Sequence, residues 1–88
     1  MKIKKGFAKR EIAGSNIVVP VGKASSDFNG MITLNGTGSF FWDCLCSETS
    51  IDEVVDKVCA EYEADRNTVK KDVEAFVAML RENCLLEE

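Results

Sequence analysis

The stretch Phe28–Leu45, FNGMITLNGTGSFFWDCL, decides how the chain folds. Near its start, the residues of Gly30–Leu34 point alternately to two faces, which predicts a short strand. Two glycines then interrupt the pattern, and apolar residues resume at helical spacing, with Asn35 or Thr37 as the candidate helix cap. The sequence therefore predicts a strand that is followed at once by a helix rich in aromatic residues.

Two further strands are predicted upstream of this stretch. Phe7–Ala13 alternates weakly, and Ile17–Val21 is the strongest β-branched run in the chain. Gly14–Asn16 predicts the turn between them, because glycine and asparagine tolerate a positive φ. Pro20 cannot donate a hydrogen bond to a neighbouring strand, so it belongs at a sheet edge or a strand end. Residues 22–27 are expected to form a polar loop.

Two more helices are predicted downstream. Ser50 and Glu53 have the spacing of a capping box, which starts a helix that ends near Glu63. Asp65 caps a third helix, and Asn83 is its candidate left-handed stop. The apolar stripe of that helix consists of Val69, Val73, Phe76, Val77 and Leu80. We predict one α+β domain over residues 1–88, with a three-stranded antiparallel sheet followed by three helices.

Composition and charge limit the possible partners. The chain has 88 residues and a net charge of −4. This acidic balance argues against a nucleic-acid partner, which favours a basic surface. No apolar run reaches the roughly 20 residues that cross a bilayer, so we expect no membrane association and a cytoplasmic location. We expect the lysine-rich N-terminal segment to be a frayed tail.

The sequence lacks the residues of the common catalytic and metal sites. It contains no histidine and four cysteines. Cys44 and Cys46 are separated by one residue, whereas zinc-binding pairs usually have two between them. We therefore expect no enzymatic activity, no metal and no cofactor, with the thiols packed as small apolar side chains. A thiol or metal site built from the four cysteines remains an alternative.

The order and spacing of several short motifs resemble the PqqD family, which is named for pyrroloquinoline quinone biosynthesis protein D. These motifs are Leu34-Asn35, Gly38, Phe41-Trp42, Glu61-Tyr62, Asp72-Val73, Phe76 and Leu80. The chain departs from the family pattern at two positions. Cys84 stands where glycine is usual near the end of the third helix, so Asn83 is expected to take over the stop. Phe41 stands where isoleucine is frequent, before the tryptophan.

The resemblance implies a winged helix-turn-helix-like domain that binds a peptide. Family members recognise the leader segment of a ribosomally made precursor peptide and present it to a modifying enzyme, often a radical S-adenosylmethionine maturase. The leader adds as a strand beside the third strand and the third helix, a mode in which main-chain hydrogen bonds supply affinity. The implied peptide-binding residues are Gly30, Met31, Ile32, Thr33, Leu34, Val69, Lys70, Lys71, Val73 and Val77.

Other interpretations concern particular residues. Lys70 and Lys71 are candidates for pairing with acidic residues of a leader, whereas Trp42 is interpreted as an anchor of the core. A DNA-binding winged-helix domain is the alternative function, because Lys70 and Lys71 lie early in a candidate recognition helix. An open strand edge also pairs with a second copy as readily as with a leader, so we expect a monomer or a weak dimer.

Overall fold

A three-stranded antiparallel sheet and three helices make up the framework of the chain. The computed structural model describes residues 1–21 and 32–88. In chain order, the elements of these residues are β1 (Lys2–Ile3), β2 (Phe7–Ile12), β3 (Ser15–Pro20), β4 (Ile32–Leu34), α1 (Gly36–Leu45), α2 (Ile51–Glu61), α3 (Arg66–Glu82) and β5 (Leu86–Glu87). The predicted α+β class, with a three-stranded sheet before three helices, is confirmed.

The three-stranded sheet has the order β2-β3-β4, so β4 is an edge strand. β3 pairs antiparallel with β4 in the register Asn16↔Leu34, Ile17↔Thr33 and Val18↔Ile32. Pro20 lies at the end of β3, as predicted. β4 is the third strand of the sequence prediction. The first two residues assigned to it, Gly30 and Met31, and the loop predicted at 22–27 lie outside the described residues.

The turn between β2 and β3 lies one residue earlier than predicted. Ile12 pairs with Ser15, which leaves a two-residue turn. Both of its residues have a positive φ, 52° at Ala13 and 81° at Gly14. Such a turn matches the right-handed twist of the flanking strands, so it is favoured over a longer loop although alanine is a poor residue for it. The predicted turn at 14–16 was wrong because the tight hairpin brings residues 15 and 16 into the strand.

α2 begins as predicted and ends two residues early. The Ser50 side chain accepts a hydrogen bond from the Glu53 backbone amide at 3.2 Å. The carboxylate of Glu53 accepts from the Thr49 hydroxyl at 3.2 Å, so the reciprocal half of the capping box is replaced by a neighbouring side chain. The helix ends at Glu61, and Tyr62 is already extended.

α3 has the predicted start and a different stop. Asp65 caps the helix by accepting from the Thr68 amide at 3.0 Å. Asn83, the predicted left-handed stop, has a φ of −94°. The left-handed residue is Cys84, with a φ of 60°. The chain therefore reverses at the position where glycine is usual in the family pattern, although cysteine stands there.

The N-terminal segment is ordered by a second, two-stranded sheet. β1 pairs antiparallel with β5, with Ile3 opposite Leu86. The Lys4 amide donates to the Leu85 carbonyl at 2.8 Å, and both Ile3 and Leu86 are buried. The predicted frayed tail was wrong, because a two-residue strand has too little pattern to be detected and its partner is at the other end of the chain.

The core lies between the sheet and the helices. Trp42 keeps only 2% of its side chain exposed, which confirms its role as a core anchor. The buried apolar residues around it come from β3, β4, the three helices and the C-terminal segment; they include Val18, Leu34, Leu45, Val54, Val55, Val58, Leu80 and Leu85. No helix within the described ranges is both long and apolar enough to cross a bilayer.

Cys84→Gly is expected to stabilise the domain. A residue with a side chain at positive φ carries a cost that glycine avoids, so the free energy of unfolding should rise by about 1 kcal/mol. For a domain of this size, the melting temperature should rise by about 4–8 °C. Asn83→Gly is the matched control and should give no gain, because Asn83 has an ordinary φ. Thermal unfolding followed by circular dichroism measures both; equal changes in the two variants would contradict the assignment.

Candidate functional site

The free edge of β4 is the first component of the candidate site. β3 occupies one side of β4, and no other strand of the described residues pairs with the opposite side. Ile32–Leu34 is short, but a strand edge presents backbone amides and carbonyls that are free to bind a further chain. Leu34 is buried and Thr33 is exposed, so the strand is anchored through one face while its edge stays accessible.

A groove lies where β4 ends, between the start of α1 and the side of α3. It encloses about 400 Å³. The residues that line it come from the β4–α1 junction and from two turns of α3; they are Asn35, Thr37, Gly38, Phe41, Asp72, Ala75, Phe76 and Met79. A peptide that extended the sheet along β4 would therefore meet, next to its backbone partner, a cavity that is lined by both apolar and polar side chains.

The β4–α1 junction shapes one wall of this groove. Asn35 caps α1, and its side-chain oxygen accepts from the Gly38 amide at 2.7 Å and from the Thr37 hydroxyl at 3.1 Å. A Cβ added at Gly38 would lie 3.0 Å from that oxygen and 3.5 Å from Cε1 of Phe76. Glycine therefore lets the first turn of α1 approach both its own cap and α3.

Two aromatic rings form the floor of the groove. Phe41 of α1 and Phe76 of α3 meet edge to face, with centroids 5.5 Å apart and an interplanar angle of 73°. Phe41 is buried, whereas Phe76 and Met79 are half-buried and keep apolar surface toward the groove. Phe41, which departs from the isoleucine frequent in the family, thus supplies an aromatic partner for Phe76.

The groove-facing side of α3 differs from the one predicted. Val69, Val73 and Val77 are exposed by only 5%, 0% and 1%, so their side chains belong to the core and do not line the groove. The prediction assigned these three valines of the apolar stripe to the groove. In the folded chain they face inward, because α3 packs mainly against α2.

The sequence analysis missed the residues of α3 that do line the groove. Asp72, Ala75, Phe76 and Met79 are spaced at i, i+3, i+4 and i+7, which places them on one face of the helix. This second stripe lies next to the core stripe and contains one charged and one small residue. The signal was present as helical spacing, but its composition is that of an ordinary half-exposed face.

The two lysines predicted to contact a leader are not among the residues that line this groove. Lys70 lines a different cleft, which it shares with Glu74 of the same helix and with Asp52 at the start of α2. Lys71 is exposed to solvent. Because carboxylates lie beside Lys70, α3 presents no continuous basic stripe of the kind that contacts phosphates.

The cysteines, all of which lie in the described part of the chain, are free thiols and are not grouped as metal ligands. All four are free; Cys44 is buried and Cys46 is exposed. Burial raises the pKa of the Cys44 thiol, which favours its protonated form at neutral pH. Across residues 1–21 and 32–88, which contain every cysteine, no three His, Cys, Asp or Glu side chains are grouped to hold a metal ion.

Comparisons with known proteins give one family and two similar solved structures. The family model described as coenzyme PQQ synthesis protein D (PqqD) matches residues 17–86. One is the structure of TbiB1 in complex with the TbiA(beta) leader peptide, with 30% sequence identity to this chain and a TM-score of 0.77. The match covers 99% of this chain and 95% of that chain. A lasso peptide synthetase B1 complexed with its leader peptide is 20% identical, with a TM-score of 0.75 over 99% and 96%. No curated protein matches the chain significantly.

Proposed function

The chain belongs to the PqqD family, and on this premise we propose that it binds the leader segment of a ribosomally synthesised precursor peptide. The similarity to TbiB1, whose structure contains a leader peptide, extends over nearly the whole chain and supports this function. The lasso peptide synthetase B1 supports the fold, because its identity to this chain is only 20%. The proposed activity is binding and presentation of a peptide, without catalysis by this domain.

The observation that carries the proposal is the pairing of an open strand edge with an apolar groove. β4 has no strand partner on its outer side among the described residues, and the groove starts at the residue that follows it. Strand addition uses main-chain hydrogen bonds, which depend little on sequence, and pockets for alternate side chains add selectivity. The two components needed for this binding mode are adjacent here.

The proposed contacts combine the predicted strand with a revised set on α3. The leader would pair with the edge formed by Ile32, Thr33 and Leu34, together with Gly30 and Met31 from the sequence prediction. On α3, the contacts move from the buried valines to the face that lines the groove: Asp72, Ala75, Phe76 and Met79. The main chain of the leader would thus be bound on one side and its side chains on the other.

Binding alone does not modify the precursor peptide chemically. We therefore further propose that this domain acts with a peptide-modifying enzyme. A radical S-adenosylmethionine maturase is the partner that the family resemblance implies. The domain would hold the leader while the remainder of the precursor reaches the active site of that enzyme. Tethering the substrate in this way raises its effective concentration at the enzyme without any contact to the modified residues.

A titration of the isotopically labelled protein with leader peptide tests the proposal. The probe is a synthetic peptide covering the leader of the precursor encoded beside this protein's gene. We expect amide chemical-shift changes at Ile32–Leu34 and along Asp72–Met79, because both walls of the groove change environment. A scrambled peptide of the same composition is the control. Shifts that are absent, or confined to the cleft of Lys70, would contradict the proposed site.

A further inference from the structure

Among the described residues, a single ionisable side chain lines the groove. Of the eight lining residues, only Asp72 carries a charge, and it stands among apolar surface from Ala75, Phe76 and Met79. Asn35 and Thr37 are the polar neighbours across the groove. Both are engaged with each other, and the Asn35 oxygen also accepts from the first turn of α1. The groove therefore combines an apolar floor with one negative charge at its rim.

Nothing in the described part of the chain neutralises this carboxylate. Asp72 takes part in no ion pair or hydrogen bond there, whereas Asp43 pairs with Lys9 and Asp56 pairs with Arg66, each at 2.7 Å. Its neighbours three and four positions away on α3 carry no charge; they are Thr68, Val69, Ala75 and Phe76. Side chains at these spacings are the ones that meet on a helix surface, so α3 itself supplies no cation to Asp72.

We propose that this groove selects a lysine or arginine side chain of the leader, an inference that rests on the proposed function. Such a side chain has an aliphatic stem that packs on apolar surface and a cationic head that reaches a polar site. The stem would lie over Phe76 and Met79, and the head would pair with Asp72. An acidic residue at this position would face an uncompensated like charge. The selected charge is thus opposite to the one expected from Lys70 and Lys71.

Paired substitutions in protein and peptide test this inference. The probe is the synthetic leader used above, together with versions in which each lysine or arginine is changed singly to glutamine. Asp72→Asn is expected to weaken binding of the unchanged leader by about threefold to tenfold at low salt, and less at high salt. One of the glutamine-substituted peptides should bind the wild-type protein with the same loss of affinity. The Asp72→Asn protein should bind that peptide no more weakly than the wild-type protein does.

Two further variants separate charge recognition from a general effect on α3. Glu74→Gln removes an exposed carboxylate from the same helix, in the cleft that Glu74 shares with Lys70. This variant should leave the affinity for the leader peptide unchanged. Asp72→Lys should bind the unchanged leader poorly and recover with a peptide whose selected cation is replaced by glutamate.

The possible outcomes distinguish this inference from the proposed function. If the leader binds wild type and Asp72→Asn equally well, the charge selection is wrong and leader binding stands. If Asp72→Asn weakens every peptide version by the same factor, the carboxylate acts on the fold of the groove and the selection is likewise wrong. If the unchanged leader does not bind the wild-type protein, the proposed function fails, and the inference fails with it.

Discussion

Ala75→Trp is expected to reduce the affinity for the leader peptide by at least about 30-fold, the effect of losing roughly 2 kcal/mol of contact. Ala75 is exposed on α3 and lines the groove between Asp72 and Met79. An indole at this position would cover the apolar floor and occupy the space that a leader side chain needs. The backbone edge of β4 would remain, so the residual affinity would report main-chain pairing alone.

Ala78→Trp is the matched control for this prediction. Ala78 is also an exposed alanine of α3, but it does not line the groove. Both variants add the same side chain to the same helix, so a difference between them reports the position alone. Isothermal titration calorimetry measures both affinities, after circular dichroism has verified the helix content. Equal affinities for the two variants would exclude this groove as the leader site.

Trp42→Ala is expected to destabilise the domain by about 3–5 kcal/mol, because it removes a large buried side chain and leaves a cavity. Trp42 is buried in α1 and belongs to the cluster of buried apolar residues that joins the sheet to all three helices. A domain of 88 residues is stable by only roughly 4–13 kcal/mol, so this loss would remove a large share of its total stability.

Urea unfolding followed by far-ultraviolet circular dichroism measures this loss. Fluorescence is unsuitable, because Trp42 is the only tryptophan in the sequence. Trp42→Phe should lose less, about 1–2 kcal/mol, since most of the apolar volume is kept. An unfolding midpoint in Trp42→Ala that equals the wild-type value would show that the indole contributes little to the core.

Local signals were sufficient where the structure depends on near neighbours in the sequence. Ser50 and Asp65 were predicted as helix caps, and Asn35 was one of two candidates for the first helix, because a short polar side chain before an apolar repeat satisfies free amides a few residues later. The two longer strands followed from β-branched composition and alternation. These features act within one or two turns of the chain, so their cause is visible in the sequence.

The sequence did not predict features that depend on contacts between residues far apart in the chain. β1 forms only because the two ends of the chain meet: Lys2 pairs with Glu87 and Ile3 pairs with Leu86 in β5, so the partners lie at opposite ends of the sequence. The reversal after α3 was assigned to Asn83 by propensity, yet Cys84 adopts the positive φ. In that case the packing of Leu85 in the core constrains the path of the chain and overrides the local preference.

The sequence by itself determined the class of the fold, the order of the main strands and helices, and the family resemblance, since periodicity, caps and motif spacing are all properties of the linear chain. Through the family resemblance, it also led to the prediction that the strand Gly30–Leu34 is the edge that pairs with a partner. Only the tertiary structure decided which side of α3 faces the groove. Its valine stripe and its Asp72 stripe are adjacent on the helix, and the packing of α2 buries the first while the second lines the groove at the β4–α1 junction.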